Sequence, residues 1–338
     1  MVQSLHLGAL RLASGATLPD VEVSYVTHGR LDDQGGNAIL VTHGYTSGPS
    51  MLSPGHHVAE SSWAPLLGPG RPLDTDRYFI VCSNMLGSSF GTTGPRSTDP
   101  QTGQPYGPGF PDIAMADIVD VQHRLLQRLG VRHLRAVVGP SYGGWQALQW
   151  ALDHPAMVDA IGVIVSGLRH PPGLSAASTR ARLATMAGWH GGWYYSHGGM
   201  REPMMAMRLQ TLQNYGLERL FEDRMTDPAQ RRAAMEQPCR EWAEHFDPNS
   251  LVALAGAAER FDVRERVAEI RSRTLFVVCT TDKVFPPDTE TPRLLQQLPQ
   301  PLRYLELDSP YGHMASGVEW PRLEGELRWM LEDPPLRG

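Results

Sequence analysis

The sequence predicts an α/β protein with a mostly parallel central sheet, helices on both faces and a helical insertion. Three observations predict it. From residue 38 onward, short apolar runs stopped by Gly, Ser or Asn alternate with amphipathic stretches, the pattern of strands covered on both faces by helices. A glycine-containing turn, Gly139-Pro-Ser-Tyr-Gly143, joins one such run to a helical stretch. Between about Arg169 and Ala268 the strand pattern stops, and Met, Ala, Arg and Trp at helical spacings replace it.

The elements follow in order. His6–Leu12 and Val21–Thr27 alternate apolar and polar residues around Gly15 and Pro19 and read as a hairpin. Ala38–Thr42 and Arg77–Cys82 are apolar runs stopped by His43-Gly44 and by Ser83-Asn84. Met85–Pro111, rich in Gly, Ser, Thr and Pro, reads as a long loop of the kind that is functional or pinned by its surroundings. Asp112–Leu129 is an amphipathic helix stopped by Gly130. Leu134–Val138 is a strand, Gly144–Asp153 a helix and Ala160–Val165 a strand. Beyond the helical stretch come the strand Thr274–Cys279, a helix near Thr289–Gln297, the strand Leu302–Leu307 and a last helix at Trp320–Leu331. The expected division is a core of residues 1–167 and 269–338, with a helical lid at 168–268.

Composition narrows the function classes. With 41% hydrophobic and 20% charged residues in 338, a packed core is expected rather than disorder. A net charge of −6 argues against a nucleic-acid surface. Lys283 is the only lysine, which reads first as codon bias. Cys82, Cys239 and Cys279 lie far apart, so neither a disulfide framework nor a metal-binding cysteine pair follows. Met1–Leu12 has no basic segment leading an apolar one, and no apolar run reaches about 18 residues, so a cytoplasmic protein off the membrane is expected.

Gly139, Ser141 and Gly143 form G-x-S-x-G between a strand and a helix. Such a turn exposes a serine hydroxyl, and the amide of the next residue, Tyr142, sits at the positive end of the helix. A nucleophilic serine needs a base and a group that orients the base. Asp282 follows the strand Thr274–Cys279, and His313 follows the strand Leu302–Leu307. Both fall where parallel sheets place their sites. The loop Thr42-His-Gly-Tyr-Thr46 offers the amide of Tyr45 as a second oxyanion donor, with His43 as a structural hydrogen-bonder. The pair His56-His57 makes a poor metal site, because adjacent side chains in a strand point apart, and no metal is expected.

Further segments resemble the homoserine O-acetyltransferase family, within the α/β-hydrolase superfamily. They are Val81-Cys-Ser-Asn-Met-Leu-Gly87, Gly91-Thr-Thr-Gly-Pro95, Gly103-Gln-Pro-Tyr-Gly107, Phe110-Pro111, Gly143-Gly-Trp-Gln-Ala-Leu-Gln-Trp150, Phe246-Asp-Pro-Asn-Ser250, Thr281-Asp-Lys-Val-Phe-Pro286 and Tyr311-Gly-His313. The resemblance implies an α/β-hydrolase fold with Ser141 as nucleophile, Asp282 as acid, His313 as base and the Tyr45 and Tyr142 amides as oxyanion donors. It implies ping-pong acyl transfer, with acetyl-CoA as co-substrate and no bound cofactor. It maps the arginine that holds the homoserine carboxylate onto Arg208, in Ala206-Met-Arg208. Three positions depart from the family. Met314 stands where an aspartate holds the homoserine ammonium, Gly216 stands where an arginine commonly follows Tyr215, and Pro140 precedes the nucleophile. A thioether cannot pair with an ammonium. The leading expectation is therefore hydrolysis of short-chain, acetate-type esters through an acyl-Ser141 intermediate, with Arg208, Tyr215 and Met314 facing the substrate. O-acetyl transfer to homoserine or another hydroxyl is the alternative. A non-catalytic binding protein on the same fold is the outside reading. Expected partners are a small-molecule ester or an acyl donor and acceptor, and a second copy of the chain paired through the lid.

Overall fold

The structure, a computed structural model, describes residues 1–54 and 62–332. The chain starts with β1 (Gln3–His6), the short β2 (Leu10–Arg11) and β3 (Thr17–Leu18), and then β4 (Glu22–His28). The expected hairpin is split. Gly8, at φ +75°, turns the chain out of β1 without the Cβ penalty of other residues. β1 then pairs antiparallel with β4, while β2 pairs with β3 in a ribbon of its own.

Next come β5 (Ala38–Val41), β6 (Phe79–Ser83), α1 (Met115–Arg128), β7 (Leu134–Pro140), α2 (Tyr142–Asp153) and β8 (Ala160–Ile164). Five helices follow: α3 (Ala176–Ala184), α4 (Arg201–Asn214), α5 (Leu217–Glu222), α6 (Pro228–His245) and α7 (Pro248–Ala258). The chain then runs through β9 (Arg273–Cys279), α8 (Glu290–Leu295), β10 (Leu302–Leu307), α9 (Ala315–Val318) and α10 (Trp320–Glu332).

The main sheet has the order β1-β4-β6-β5-β7-β8-β9-β10. β5 pairs in parallel with both β6 and β7, and β7 to β10 continue in parallel. Only β1 and β4 run antiparallel to their neighbours. The chain leaves β5 toward β6 on one side and returns to β7 on the other. That reversal opens a crevice beyond the carboxyl ends of β5 and β7, where open α/β sheets place their ligands.

Side chains alternate between two cores, as the strand period requires. Leu40 and Val137 face the core that α1 and α2 cover, where Ile118, Leu125 and Leu148 are buried. Ile39, Val41 and Val138 face the core that α10 covers, with Leu323, Leu327 and Met330. The sheet is thus an α/β-hydrolase fold, closed on both faces by helices.

The helical segment between β8 and β9 enters and leaves at one place. Val263 N donates to Leu168 O at 2.9 Å, and Arg169 bridges Asp262. Its own apolar clusters are rich in methionine, with Met200, Met204 and Met207 packed around Trp242 and Phe246. The long 85–111 stretch has no α-helix or strand element and is pinned on two sides. Thr93 N donates to Glu22 O at 2.9 Å, and Asp247 N donates to Ser89 Oγ at 2.9 Å. No described helix is long and apolar enough to cross a membrane.

Candidate active site

The turn between β7 and α2 holds Ser141 at φ 56°, ψ −123°, a conformation that residues with a Cβ rarely adopt. The residues two positions away on either side have to be glycine. A Cβ on Gly139 would lie 2.1 Å from the Thr42 carbonyl oxygen, and one on Gly143 would lie 2.4 Å from the same atom. The turn is fastened to β8 as well. Ser141 N donates to Ile164 O at 2.9 Å, and Ser166 Oγ donates to Ser141 O at 2.7 Å. Tyr142 begins α2, so its amide has no acceptor within the helix.

Asp282 and His313 leave the ends of β9 and β10 and meet. His313 Nδ1–H donates to Asp282 Oδ2 at 2.8 Å, with both side chains buried. The other carboxylate oxygen, Oδ1, accepts the Val284 amide at 2.7 Å. Thr281 locks the two loops together. Its hydroxyl donates to Ser309 O at 2.6 Å and accepts the Gly312 amide at 3.0 Å. With Nδ1 engaged, the free edge of the imidazole carries Nε2. The ring packs against Tyr215 and Phe285, at centroid distances of 4.6 and 5.8 Å.

Those two aromatic residues and Ser141 line one cavity of about 280 Å³. Tyr45, Thr46, Tyr142, Trp145 and Arg208 line it too. The structure therefore gathers Ser141, Tyr45, Tyr142, Arg208 and Tyr215 around one space and packs His313 against its wall. The Tyr45 and Tyr142 rings stack 5.7 Å apart. Their hydroxyls reach α7, Tyr45 bonding to the Leu251 carbonyl and Tyr142 to the Leu254 carbonyl at 3.0 Å. Burial pushes both phenols well above their usual range, so they remain neutral anchors. His43 is buried, and its Nε2 accepts the Met85 amide at 3.2 Å.

Arg208 is 1% exposed. It donates from Nη1 to Thr46 Oγ1 at 2.7 Å and lies 4.9 Å from the ring centre of Trp242. A buried guanidinium facing a cavity is suited to bidentate capture of a carboxylate. The sequence reading found Arg208 but not its two neighbours. Thr46 and Trp242 carry no local motif that marks them.

Of the positions that depart from the family pattern, one stands differently from the expectation and one is explained. Met314 does not line the cavity. It is 4% exposed and packs with Leu212, Leu217, Leu220, Met235 and Cys239. Its amide donates to Tyr311 O at 3.0 Å and to Tyr215 O at 3.1 Å. Gly216 has φ +101°, and a Cβ there would lie 2.5 Å from Tyr311 O. A side chain such as arginine therefore has no place at 216 unless the backbone shifts. His56 and His57 lie outside the described residues, and among those described no group of three or more His, Cys, Asp or Glu could hold a metal ion.

Comparison with known proteins agrees with this architecture. Residues 37–319 match the family described as alpha/beta hydrolase fold. The homoserine O-acetyltransferase of Moorella thermoacetica is 36% identical over 96% of this chain and 94% of its own length. The homoserine O-succinyltransferase of Methylibium petroleiphilum is 35% identical over 96% of this chain and 92% of its own. An acetylester hydrolase from Corynebacterium glutamicum superposes with a TM-score of 0.82 at 22% identity, covering 98% of this chain and 96% of that one, which is a likeness of fold. Because the likeness to the transferases runs through nearly the whole length of both partners, the chain belongs to the homoserine O-acetyltransferase family, among the enzymes of the α/β-hydrolase superfamily.

Proposed function

We propose that the chain transfers a short acyl group from a coenzyme A thioester, acetyl-CoA first, to the hydroxyl of a carboxylate-bearing acceptor of the homoserine type. This reverses the order expected from the sequence, which put ester hydrolysis ahead of transfer. Relatives about 35% identical over nearly the whole chain carry transferase names, whereas the esterase likeness, at 22% identity, is one of fold. Met314 packs inside an apolar cluster instead of facing the cavity, so its thioether does not decide the acceptor.

The observation that carries the reading is the His313–Asp282 hydrogen bond at 2.8 Å beside the cavity that Ser141 and Arg208 share. In the first half-reaction Ser141 Oγ attacks the thioester carbonyl, and His313 Nε2 takes the hydroxyl proton. The amides of Tyr45 and Tyr142 stabilise the oxyanion. The carbon–sulfur bond breaks, and the thiol leaves with the proton from His313. In the second half-reaction the acceptor hydroxyl gives its proton to His313 and attacks the acyl-serine. Collapse returns the proton to Ser141 Oγ and releases the new ester. Asp282 keeps the imidazole in the tautomer with Nε2 free and stabilises the imidazolium. Arg208 holds the acceptor carboxylate. Residues 168–268 act in this reading as a lid that limits water at the acyl-enzyme.

The test measures thiol release from acetyl-CoA and from succinyl-CoA, with and without homoserine, beside hydrolysis of p-nitrophenyl acetate. Homoserine-dependent thiol release that exceeds hydrolysis is the expected result. Ester hydrolysis with no acceleration by homoserine overturns the reading.

A further inference from the structure

We propose that Thr46 is a positioning residue that holds the Arg208 guanidinium in register with the Tyr45 amide, so that acceptor carboxylate and reacting carbonyl are bound at a fixed spacing. The inference rests on the acyl-transfer reading above and concerns how that site chooses its acceptor.

Three contacts close a triangle. Arg208 Nη1 donates to the Thr46 hydroxyl at 2.7 Å. Trp242 Nε1 donates to the Thr46 carbonyl at 3.0 Å. The Trp242 ring lies against the guanidinium, 4.9 Å from its carbon. All three residues line the cavity, and all are buried. They come from distant stretches of chain: Thr46 follows β5, Arg208 is on α4 and Trp242 is on α6.

Thr46 is the member of this triangle with a fixed backbone address. It sits one residue after Tyr45, in a loop that leaves a fully buried central strand. Arg208 has a long flexible side chain and a helical neighbourhood of methionines, including Met204 and Met207. Such packing tolerates several side-chain arrangements. A guanidinium has only donors, so the Thr46 hydroxyl, an acceptor on the loop that leaves β5, favours one of them. Both atoms that Thr46 offers, hydroxyl and carbonyl oxygen, are acceptors in this triangle. The spacing between carboxylate site and oxyanion site is then tied to one peptide link as well as to how α4 packs. Geometry of that kind matters because small misplacements of a reactant are costly in rate.

The test uses the full chain with p-nitrophenyl acetate as donor and two acceptors. Homoserine carries a carboxylate, and 3-aminopropan-1-ol is the same molecule without it. Wild type, Thr46→Val and Thr46→Ser are compared for the nitrophenolate burst and for kcat/KM with each acceptor. Thr46→Val keeps the shape and removes the hydroxyl acceptor. It is expected to cut the preference for homoserine over 3-aminopropan-1-ol by about tenfold, chiefly through KM for homoserine. Thr46→Ser restores the acceptor and is expected to keep the wild-type preference. Should Thr46→Val not fold, Trp242→Phe is read in the same way, since it keeps a ring under Arg208 and removes the Nε1–H tether. A preference that survives these changes overturns the inference while leaving the acyl-transfer reading intact. So does an equal loss of the burst and of both acceptors, which would make Thr46 a support of the loop alone. A wild-type enzyme with no preference for homoserine fails the acyl-transfer reading itself and takes this inference with it.

Discussion

Ser141 and Asp282 stand on loops that leave strands buried on both faces and His313 on the loop after the partly exposed edge strand β10, whereas Arg208, Tyr215 and Trp242 stand on or beside helices packed by methionine-rich clusters. The first group is held by short hydroxyl side chains that bond directly to main-chain atoms. Its loops are tied to one another through Thr281 and to β8 through Ser166. The second group is held by the far ends of side chains, such as the guanidinium of Arg208 on the Thr46 hydroxyl. On the acyl-transfer reading the first group moves protons, which demands positions accurate to a fraction of an ångström. Choice of acceptor can be altered by repacking long side chains, and methionine surroundings allow it.

That contrast can be broken by experiment. Ser141→Ala should lower both thiol release and ester hydrolysis, on the order of 10⁶-fold, whatever the acceptor. A serine-directed phosphonate should label wild type at this residue and leave the variant untouched. Labelling at another serine would move the nucleophile elsewhere. Asp282→Asn leaves Ser141 and His313 in place but favours the wrong imidazole tautomer, and should cost about 10⁴-fold in kcat. Near-normal kcat in that variant would mean that a different carboxylate orients His313.

Arg208→Lys tests the other group. A point charge replaces a planar fork, so kcat/KM for homoserine should fall by about ten- to a hundredfold, with p-nitrophenyl acetate hydrolysis little changed. An equal fall in both activities would erase the distinction between the two groups. Met314→Asp sharpens it further. The sequence reading expects this change to supply a counter-charge for homoserine. The packing predicts a buried, unpaired carboxylate among Leu212, Leu217, Leu220 and Met235, destabilising the chain by about 3 kcal/mol or more. Denaturant melts decide between them, and a variant of wild-type stability with improved homoserine turnover would favour the sequence reading.

The same contrast explains what could be read from the sequence. The G-x-S-x-G turn and the loops with Asp282 and His313 are local events at the ends of apolar runs, and such signals survive in a linear string. Strand positions β5 to β10 lie within a residue or two of where the apolar runs place them. The first strands were harder, because Gly8 diverts the chain inside what reads as one alternating run. Arg208 was legible only through a family pattern. The Thr46–Trp242 bond, between residues 196 apart, leaves no local trace at all. Met314 sits apart from the cavity for a related reason. Its neighbour in sequence is His313, but its neighbours in space come from α4, α5 and α6.

The backbone of Ser141 has a consequence for how this protein can be improved or can decay. Its φ of 56° with ψ −123° is held against a cost on the order of 1–3 kcal/mol, and only glycine would occupy it without that cost. Selection for robustness and selection for turnover therefore pull in opposite directions at this residue. A lineage, or an engineering campaign, that kept the most heat-resistant variants without assaying them would be drawn to glycine at position 141. On the acyl-transfer reading it would arrive at a well-folded protein that has lost its nucleophile.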